Sequence, residues 1–244
     1  SGNTSLTATN SVSLQGFSDT SCASPVIGSV TATANPLAAT AGIASFAAVK
    51  ILKTNVIRIQ ATSSGLTSAC SSALAISAGA PASITVSAGD AQTGTVNTAL
   101  ANPFVAFVQD ANTNVVPNAT VTWTILSGNG SLSSASNSTL SSGLSSSTLT
   151  LGSVVGANSA SASVSGVLTS ATFSATAVAG APALLAFTTQ PAANGTAGAD
   201  LAQFPVITLR DASGNTSLTA TNSVSLQGFS DTSCASPVSG GLTA

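Results

Sequence analysis

Side chains that commonly perform enzyme chemistry are scarce in this chain of 244 residues. It contains six Asp, four Lys and Arg residues together, three Cys, no Glu and no His. Without His, the usual general base of Ser-His-Asp and Cys-His arrangements is missing. The Asp residues are dispersed, so no glycosidase-like pair of carboxylates can be identified, and there is no His and Cys cluster for zinc. The sequence therefore predicts that the chain is not an enzyme and holds no metal ion or cofactor.

Two similar loops begin with an Asp residue, Asp110 in QDANTN and Asp211 in RDASGN. Loops of this kind can bind calcium, but calcium takes six to eight oxygen ligands and each loop supplies one carboxylate. We therefore expect these Asp side chains to bond to their own backbone and stabilise turns. Lys50 and Lys53 are the only lysines that could form a Lys–Asn isopeptide cross-link, and no adjacent acid can be identified for that reaction.

Composition favours β-structure and argues against several classes of partner. Charged residues make up 4% of the chain, the net charge is −2, and 43% of the residues are hydrophobic. Nucleic acids and anionic lipids bind clustered Lys and Arg, so we expect neither as a partner. No stretch approaches 18 uninterrupted apolar residues, so no membrane-spanning segment is expected. The abundance of Ser, Thr, Ala and Val suits pleated sheets, and the predicted class is all-β.

The chain contains a long internal repeat. Residues 1–26 read SGNTSLTATNSVSLQGFSDTSCASPV, and residues 213–238 read the same letters, so that residue 213 matches residue 1 at an offset of 212. The copies then diverge, as expected of related units in a tandem array. A period of 212 residues suits two sandwich domains of about 100 residues each.

A shared linker marks the predicted boundaries within one period. The sequence AGAPA occurs at 78–82 and again at 179–183, and an apolar strand follows each copy. We predict a complete domain of one type, domain A, over residues 79–180. The other type, domain B, is divided in this chain. Residues 1–78 are its C-terminal portion, and residues 181–244 are the N-terminal portion of the next copy.

Short runs of alternating apolar and polar residues predict antiparallel strands in both domain types. Val121, Trp123 and Ile125 alternate with Thr residues, which is typical of a half-buried strand. Trp123 is the only Trp, and we predict that it lies in the sandwich core, with carbohydrate stacking as the alternative. The predicted strands are 83–86, 104–109, 120–126, 145–151, 160–164 and 171–178 in domain A, and 11–15 with its copy 223–227, 29–33, 43–49, 56–62, 74–77, 184–187 and 206–210 in domain B.

Residues 93–134 resemble the bacterial immunoglobulin-like domains of the invasin and intimin type. The likeness covers domain A and depends on an apolar first strand, TALANPFVAFVQDA at 98–111, PNATVTW at 117–123 and SGNGSL at 127–132. The resemblance implies tandem immunoglobulin-like antiparallel β-sandwich domains, located outside the cell or on the bacterial cell surface. Members of this family form rod-like stalks or fibres, and the same modules also serve as adhesins and enzyme spacers.

Domain B resembles a related repeat of long secreted or surface-anchored bacterial proteins, through LAFTTQPA at 185–192 and LQGFSDTSC at 14–22. The extracellular setting that this resemblance implies favours a disulfide between Cys22 and Cys70, with two free buried thiols as the alternative. The bridge would close a loop of roughly 50 residues, worth about 4 kcal/mol in the chain-entropy model. Cys234 is the copy of Cys22, so we expect its partner to lie beyond residue 244.

These expectations lead to three hypotheses for function. The first is a structural repeat unit of an extracellular filament or surface stalk, with immunoglobulin-like domains joined end to end and strands of one unit completing a sandwich in the next. Its partners would be neighbouring copies of the same repeat. The alternative is an adhesin module for a host or matrix ligand, which would need exposed aromatic or charged residues at loop tips. The third is a spacer within a secreted enzyme.

Overall fold

Strands and turns make up the computed structural model of the chain, which describes residues 4–239. No helix occurs in that range, and therefore none that is long and apolar enough to cross a membrane. The all-β prediction is confirmed. The strands are β1 (Ser11–Phe17), β2 (Pro25–Val26), β3 (Val30–Thr31), β4 (Leu37–Ala38), β5 (Lys50–Ile51), β6 (Arg58–Thr62), β7 (Ala69–Cys70), β8 (Pro81–Ala88), β9 (Gln92–Thr95), β10 (Phe104–Asp110), β11 (Thr120–Ser127), β12 (Ser131–Leu132), β13 (Ser136–Ser138), β14 (Leu144–Ser147), β15 (Leu149–Thr150), β16 (Gly156–Val164), β17 (Ala171–Val178), β18 (Leu184–Thr189) and β19 (Val206–Arg210).

The chain forms two compact units. The first comprises Ser1–Gly152 and Gly156–Ala177, and the second comprises Ser153–Val155 and Val178–Ala244. The first unit contains both the domain B portion at 1–78 and most of domain A. The boundary that we drew between residues 78 and 79 stays a prediction.

Two sheets pack face to face in domain A. One has the order β14-β10-β8, and the other has the order β13-β11-β16-β17-β9. Their inward side chains form one hydrophobic cluster, to which both sheets contribute. Its largest fully buried members are Phe104, Phe173, Leu149, Leu151, Val108 and Val121. This two-layer arrangement is the β-sandwich that the sequence predicts.

Alternation of side chains explains why these strands form a sandwich. In β11, Val121 and Trp123 are buried, whereas Thr120, Thr122 and Thr124 are exposed. β10 and β17 also bury every second residue, because successive side chains of a strand point to opposite faces. The apolar face of each sheet is therefore the face that meets the other sheet.

The domain B portion at 1–78 forms a separate five-stranded sheet within the first unit. Its order is β2-β1-β6-β7, and β4 also pairs with β1. The register of β1 on β6 runs from Ser13 opposite Thr62 to Phe17 opposite Arg58. Phe17 and Val56 are buried there, but large apolar side chains such as Ile27 and Leu66 are exposed. Ile27 and Leu66 lie between strands, so this portion exposes apolar side chains in the segments that connect its strands.

In the second unit, β18 pairs with β19, from Leu184 opposite Arg210 to Thr189 opposite Val206. The predicted strand at 223–227 is wrong, because these residues form no strand. The identical residues 11–15 lie in β1, so the same prediction is right for one copy and wrong for the other. The difference has a physical cause: β1 is held by β6, and no segment equivalent to β6 follows 223–227 among the described residues.

Three other strand predictions differ from the structure. Residues 74–77 form no strand, and of 43–49 only Ile43 makes a β-bridge, with Thr40. The run at 145–151 is interrupted and gives β14 and β15. Short strands such as β9 and β12 contain too few alternating residues to be recognised from a pattern of period two.

Candidate functional site at the linker and the Asp loop

The Asp110 side chain lies at the end of β10 and organises the loop that follows. Its Oδ1 accepts hydrogen bonds from the backbone N–H groups of Asn112 and Asn114, both at 2.8 Å. The predicted turn-stabilising role of this carboxylate is thus seen in the structure. Asp110 is 5% exposed, so these bonds satisfy a charged group with little access to water.

The same carboxylate also holds the linker that precedes domain A. Its Oδ2 accepts a hydrogen bond from the backbone N–H of Gly79 at 2.9 Å. Gly79 belongs to the AGAPA sequence, 31 residues before Asp110. The Nδ2 of Asn114 donates to Oδ2 as well, at 2.9 Å. The linker, the start of domain A and the Asp loop are therefore joined at a single carboxylate.

Asn114 extends this network to the domain B portion of the first unit. Its Nδ2 donates to the carbonyl oxygen of Leu52 at 2.9 Å, and its Oδ1 accepts from the N–H of Thr54 at 3.2 Å. Between these two residues, Lys53 Nζ donates to the Asn112 carbonyl and to Thr113 Oγ1. We call the set formed by Gly79, Asp110, Asn114 and the loop 52–54 the junction clamp.

The second unit contains an equivalent clamp 101 residues later, without a counterpart of Lys53. Asp211 Oδ2 accepts from the N–H of Gly180 at 3.0 Å, and its Oδ1 accepts from the N–H groups of Ser213 and Asn215. Asn215 Nδ2 donates to the carbonyl oxygen of Ser153 at 2.8 Å. Each position differs by 101 from its counterpart, since 79, 110, 114 and 52 correspond to 180, 211, 215 and 153. The clamp is thus a repeated feature of the chain.

Hydrogen bonding keeps both clamp carboxylates ionised. Desolvation by burial raises the pKa of Asp110, but hydrogen bonds from the Asn114 side chain and from the N–H groups of Gly79, Asn114 and Asn112 outweigh it, so this pKa is lowered. The Asn215 side chain has the largest effect on Asp211, and together with three backbone N–H groups it lowers the pKa from 3.8 to about 2. Both side chains therefore accept hydrogen bonds as anions at neutral pH.

Cys22 and Cys70 form a disulfide in the first unit, with their Cα atoms 6.6 Å apart. A tight turn presents Cys22: Asp19 accepts hydrogen bonds from the N–H groups of Ser21, Ala23 and Ser24. These bonds, with that from the Ser21 hydroxyl as the largest cause, hold the pKa of Asp19 well below its usual range. Cys234 is a free, exposed thiol in the second unit.

Trp123 lies in the domain A core and is 3% exposed. Its ring packs against Phe173, with ring centroids 5.5 Å apart, and its Nε1 donates to Asn137 Oδ1 at 2.9 Å. Such burial leaves no ring face on which a sugar could stack.

Metal-ligating side chains do not cluster in the part of the chain that the structure describes. Within residues 4–239, no three His, Cys, Asp or Glu side chains come together. An open cleft in the second unit is lined by Pro182, Ala183, Leu184, Leu185, Leu209, Asn222, Ser223 and Val224, none of which is titratable. Lys53, a candidate for an isopeptide bond, instead donates hydrogen bonds to the Asp110 loop.

A comparison with protein-family models finds no match, and a comparison with curated protein sequences finds none either. Among solved structures, the chain is similar to the D00-D0 domain of intimin, with 19% identity and a TM-score of 0.35 over 50% of this chain and 62% of that one. It is also similar to FdeC, an Escherichia coli adhesin, with 14% identity and a TM-score of 0.39 over 66% and 52%. A third similar structure is a glycosyl hydrolase family 2 member from Bacteroides cellulosilyticus, with 17% identity and a TM-score of 0.33 over 48% and 18%.

The chain spans less than two thirds of the length of each of these three structures. They include an adhesin and an enzyme, so a function cannot be taken from any one of them. TM-scores below 0.5 leave the function of this chain to be inferred from its own geometry.

The sequence indicated the two Asp loops, but it did not predict the hydrogen bonds that join them to the linker and to the loop 52–54. AGAPA and the Asp loop recur together at the same interval of 101 residues, which marks both as parts of the repeat but does not indicate that they touch. The contact of Asn114 with the loop 52–54 had no such signal, since KTN at 53–55 and VVG at 154–156 share no residue type.

Proposed function

We propose that this chain is a structural repeat unit of an extracellular bacterial filament or surface stalk, in which immunoglobulin-like domains are joined end to end. The observation that carries the proposal is the junction clamp and its recurrence 101 residues later. A module whose task is to add length needs a junction that can be repeated without change. The clamp provides one, because Asp110 and Asp211 each bond the Gly of their own linker.

Resistance to bending follows from the clamp's chemistry. A flexible linker leaves its backbone groups to water, whereas the N–H of Gly79 is bonded to a buried anion. Asn114 bonds the loop 52–54 through both of its side-chain atoms. To bend at residue 79, the first unit would have to break several of these bonds together.

Completion of sandwiches between units is the finer part of the proposal. It is supported by an observation on domain B: the portion at 1–78 leaves large apolar side chains such as Ile27 and Leu66 exposed. Neighbouring copies of the repeat are therefore the partners that we propose.

The test is immunogold electron microscopy of the cells that produce the protein, with antibodies raised against residues 79–180. We expect gold particles at regular intervals along filaments or stalks outside the cell. A single particle at the tip of each appendage, or binding of the purified chain to host matrix proteins through its loops, would favour the adhesin alternative. Label confined to the cell interior would contradict the proposal.

The clamp itself is tested on the purified chain by small-angle X-ray scattering. We expect the double variant Asp110→Asn with Asp211→Asn to scatter as a more flexible particle than the unchanged chain. Asp200→Asn is the control for the loss of an Asp charge, because it removes one carboxylate from an exposed loop. If all three proteins are equally flexible, the clamp does not stiffen the junction.

A further inference from the structure

We propose that the two junction clamps differ in strength, because Lys53 and Thr113 reinforce the clamp at Gly79 and the clamp at Gly180 has no counterpart of this pair. The clamp at Gly180 is therefore the one that opens more readily. For an array of repeats the inference rests on the proposed function: the junction before each domain B would yield on bending, and the junction before each domain A would resist. One compliant junction would then occur in every period of 212 residues.

The Asp loops of the two clamps have the same backbone. In each loop, the N–H of the residue three positions after the Asp donates to the carbonyl oxygen of that Asp, at 3.0 Å for both Thr113 and Gly214. These two residues also share a left-handed conformation, with φ values of 63° and 85°. At this position the loops therefore differ in the side chain and not in the path of the chain.

A threonine is an unusual residue for that conformation. A β-branched side chain crowds its own backbone when φ is positive, whereas glycine has no Cβ and adopts such angles freely. Strain of this kind persists where surrounding contacts hold it in place. The hydroxyl oxygen of Thr113 accepts a hydrogen bond from Lys53 Nζ at 2.8 Å. The strained threonine therefore makes a contact that glycine could not make.

Lys53 ties the loop 52–54 to the Asp loop at a second acceptor. Its Nζ also donates to the carbonyl oxygen of Asn112 at 2.5 Å. Hydrogen bonds from an ammonium group are shorter and stronger than those from neutral donors. Lys53 lies between Leu52 and Thr54, the two residues that the Asn114 side chain bonds. The lysine thus reinforces the contact that Asn114 makes.

The second clamp cannot form these bonds. Val154 stands where the first clamp has its lysine, and its side chain donates no hydrogen bond, while Gly214 has no hydroxyl to receive one. Asn215 still bonds the loop, with Nδ2 donating to the Ser153 carbonyl at 2.8 Å. Its Oδ1 accepts from the N–H of Val155 at 3.4 Å, which is long for a bond of this type.

The two differences occur together. Lys53 accompanies Thr113 in one clamp, and Val154 accompanies Gly214 in the other. Every partner of the loop 52–54 named above lies in residues 112–114, and the equivalent residues 213–215 are all described. A donor and its acceptor that are present or absent as a pair are expected to act as a pair.

Hydrogen exchange of the whole chain, measured by NMR, tests the reinforcement in the first clamp. The N–H of Thr54 is bonded to Asn114, so it exchanges when this contact opens. Lys53→Val gives the first clamp the residue of the second, and we expect Thr54 to exchange at least about tenfold faster. Lys50→Val is the matched control, because it removes the same charge from an exposed side chain three positions earlier. Rates are corrected for the change of neighbouring residue in each variant.

The converse experiment installs the pair in the second clamp. A Cβ at Gly214 would meet no atom within 4 Å, so a threonine side chain has room there and only the positive φ opposes it. Gly214→Thr alone should therefore speed exchange of the Val155 amide. Gly214→Thr combined with Val154→Lys should slow that amide by about tenfold relative to the unchanged chain. The excess of the double variant over the sum of the single variants measures the coupling of the pair.

Two results would overturn the inference. Thr54 could exchange at the same rate in Lys53→Val as in Lys50→Val, which would mean that the lysine adds nothing to the first clamp. The double variant of the second clamp could show no coupling between its two substitutions, which would mean that the residues do not act as a pair. The experiments change different units, so each can overturn the inference if a variant of the other unit fails to fold. Neither result bears on the immunogold test, so failure of the inference can be told from failure of the proposed function.

Discussion

The carboxylate of Asp110 accepts a hydrogen bond from the backbone N–H of Gly79, 31 residues earlier in the chain, at 2.9 Å. Asp110 is the last residue of β10, so this bond fixes the linker at Gly79 to the end of that strand. The same relationship between Asp211 and Gly180 shows that it belongs to the repeat and not to one domain alone.

Asp110→Asn should destabilise the first unit. An amide at this position would turn a donor toward the N–H of Gly79 or the Nδ2 of Asn114, and each unsatisfied buried group costs about 1–3 kcal/mol. Unfolding in urea, followed by the fluorescence of the single Trp, measures the change. Asp200→Asn is the control, and equal unfolding midpoints for the two variants would contradict the role of Asp110.

Stability should fall in acid because of the same carboxylates. Their pKa values are lowered in the folded chain, so folding releases protons that the unfolded chain would bind. Their contribution to stability is present above the pKa of the unfolded chain, near 3.8. It is lost as the pH falls through the pKa of the folded chain, which is about 2 for Asp211. The midpoint of thermal unfolding, measured from about pH 6 to about pH 2, reports this loss. The Asp110→Asn and Asp211→Asn double variant should lose less stability over that range than the unchanged chain.

Asn114→Ala should loosen the contact between the clamp and the loop 52–54. The variant lacks both the donor to the Leu52 carbonyl and the acceptor for the N–H of Thr54. Hydrogen exchange of the Thr54 amide should therefore become faster, and mass spectrometry or NMR would detect it. Asn112→Ala is the control, because the Asn112 backbone carbonyl that receives Lys53 is retained. Unchanged exchange at Thr54 would argue that Lys53 alone holds this contact.

The strands of domain A could be predicted because each has one buried face and enough residues to show the alternation. β11 and β17 are examples, with eight residues each. Residues 223–227 show the limit of such reasoning. Their letters are those of β1, and whether they form a strand depends on a partner about 45 positions further along the chain. A pattern within a segment carries no information about whether that partner is present.

The junction clamp was beyond prediction for a related reason. The sequence indicates that Asp110 begins an Asx turn, because that bonding is local. The bond to Gly79 depends on how β8 lies beside β10. The bonds from Asn114 to Leu52 and Thr54 join residues 62 and 60 positions apart. Only the three-dimensional arrangement of the strands brings those groups together.

Trp123→Ala should be among the most damaging single substitutions in domain A. The side chain is buried against Phe173, and loss of a buried Trp costs about 3–5 kcal/mol. Calorimetry is the suitable measurement, since the variant has no Trp fluorescence. Leu140→Ala is the control, because Leu140 is 67% exposed and its loss should change little. Equal effects of the two substitutions would place Trp123 outside the core.

Reduction of the disulfide between Cys22 and Cys70 should expose three trypsin sites and leave a fourth unchanged. Lys50, Lys53 and Arg58 lie inside the loop that the disulfide closes, whereas Arg210 lies outside it. The bridge spans 48 positions and is worth about 4 kcal/mol in the chain-entropy model, so its loss should raise the population of open forms of residues 22–70.

The rates of cleavage at the four sites, measured in the double variant Cys22→Ser with Cys70→Ser, test this directly. Cleavage at Lys50, Lys53 and Arg58 should accelerate relative to cleavage at Arg210. Equal acceleration at all four sites would mean that the disulfide stabilises the whole chain, and no acceleration would mean that β1 and β6 hold this portion without it.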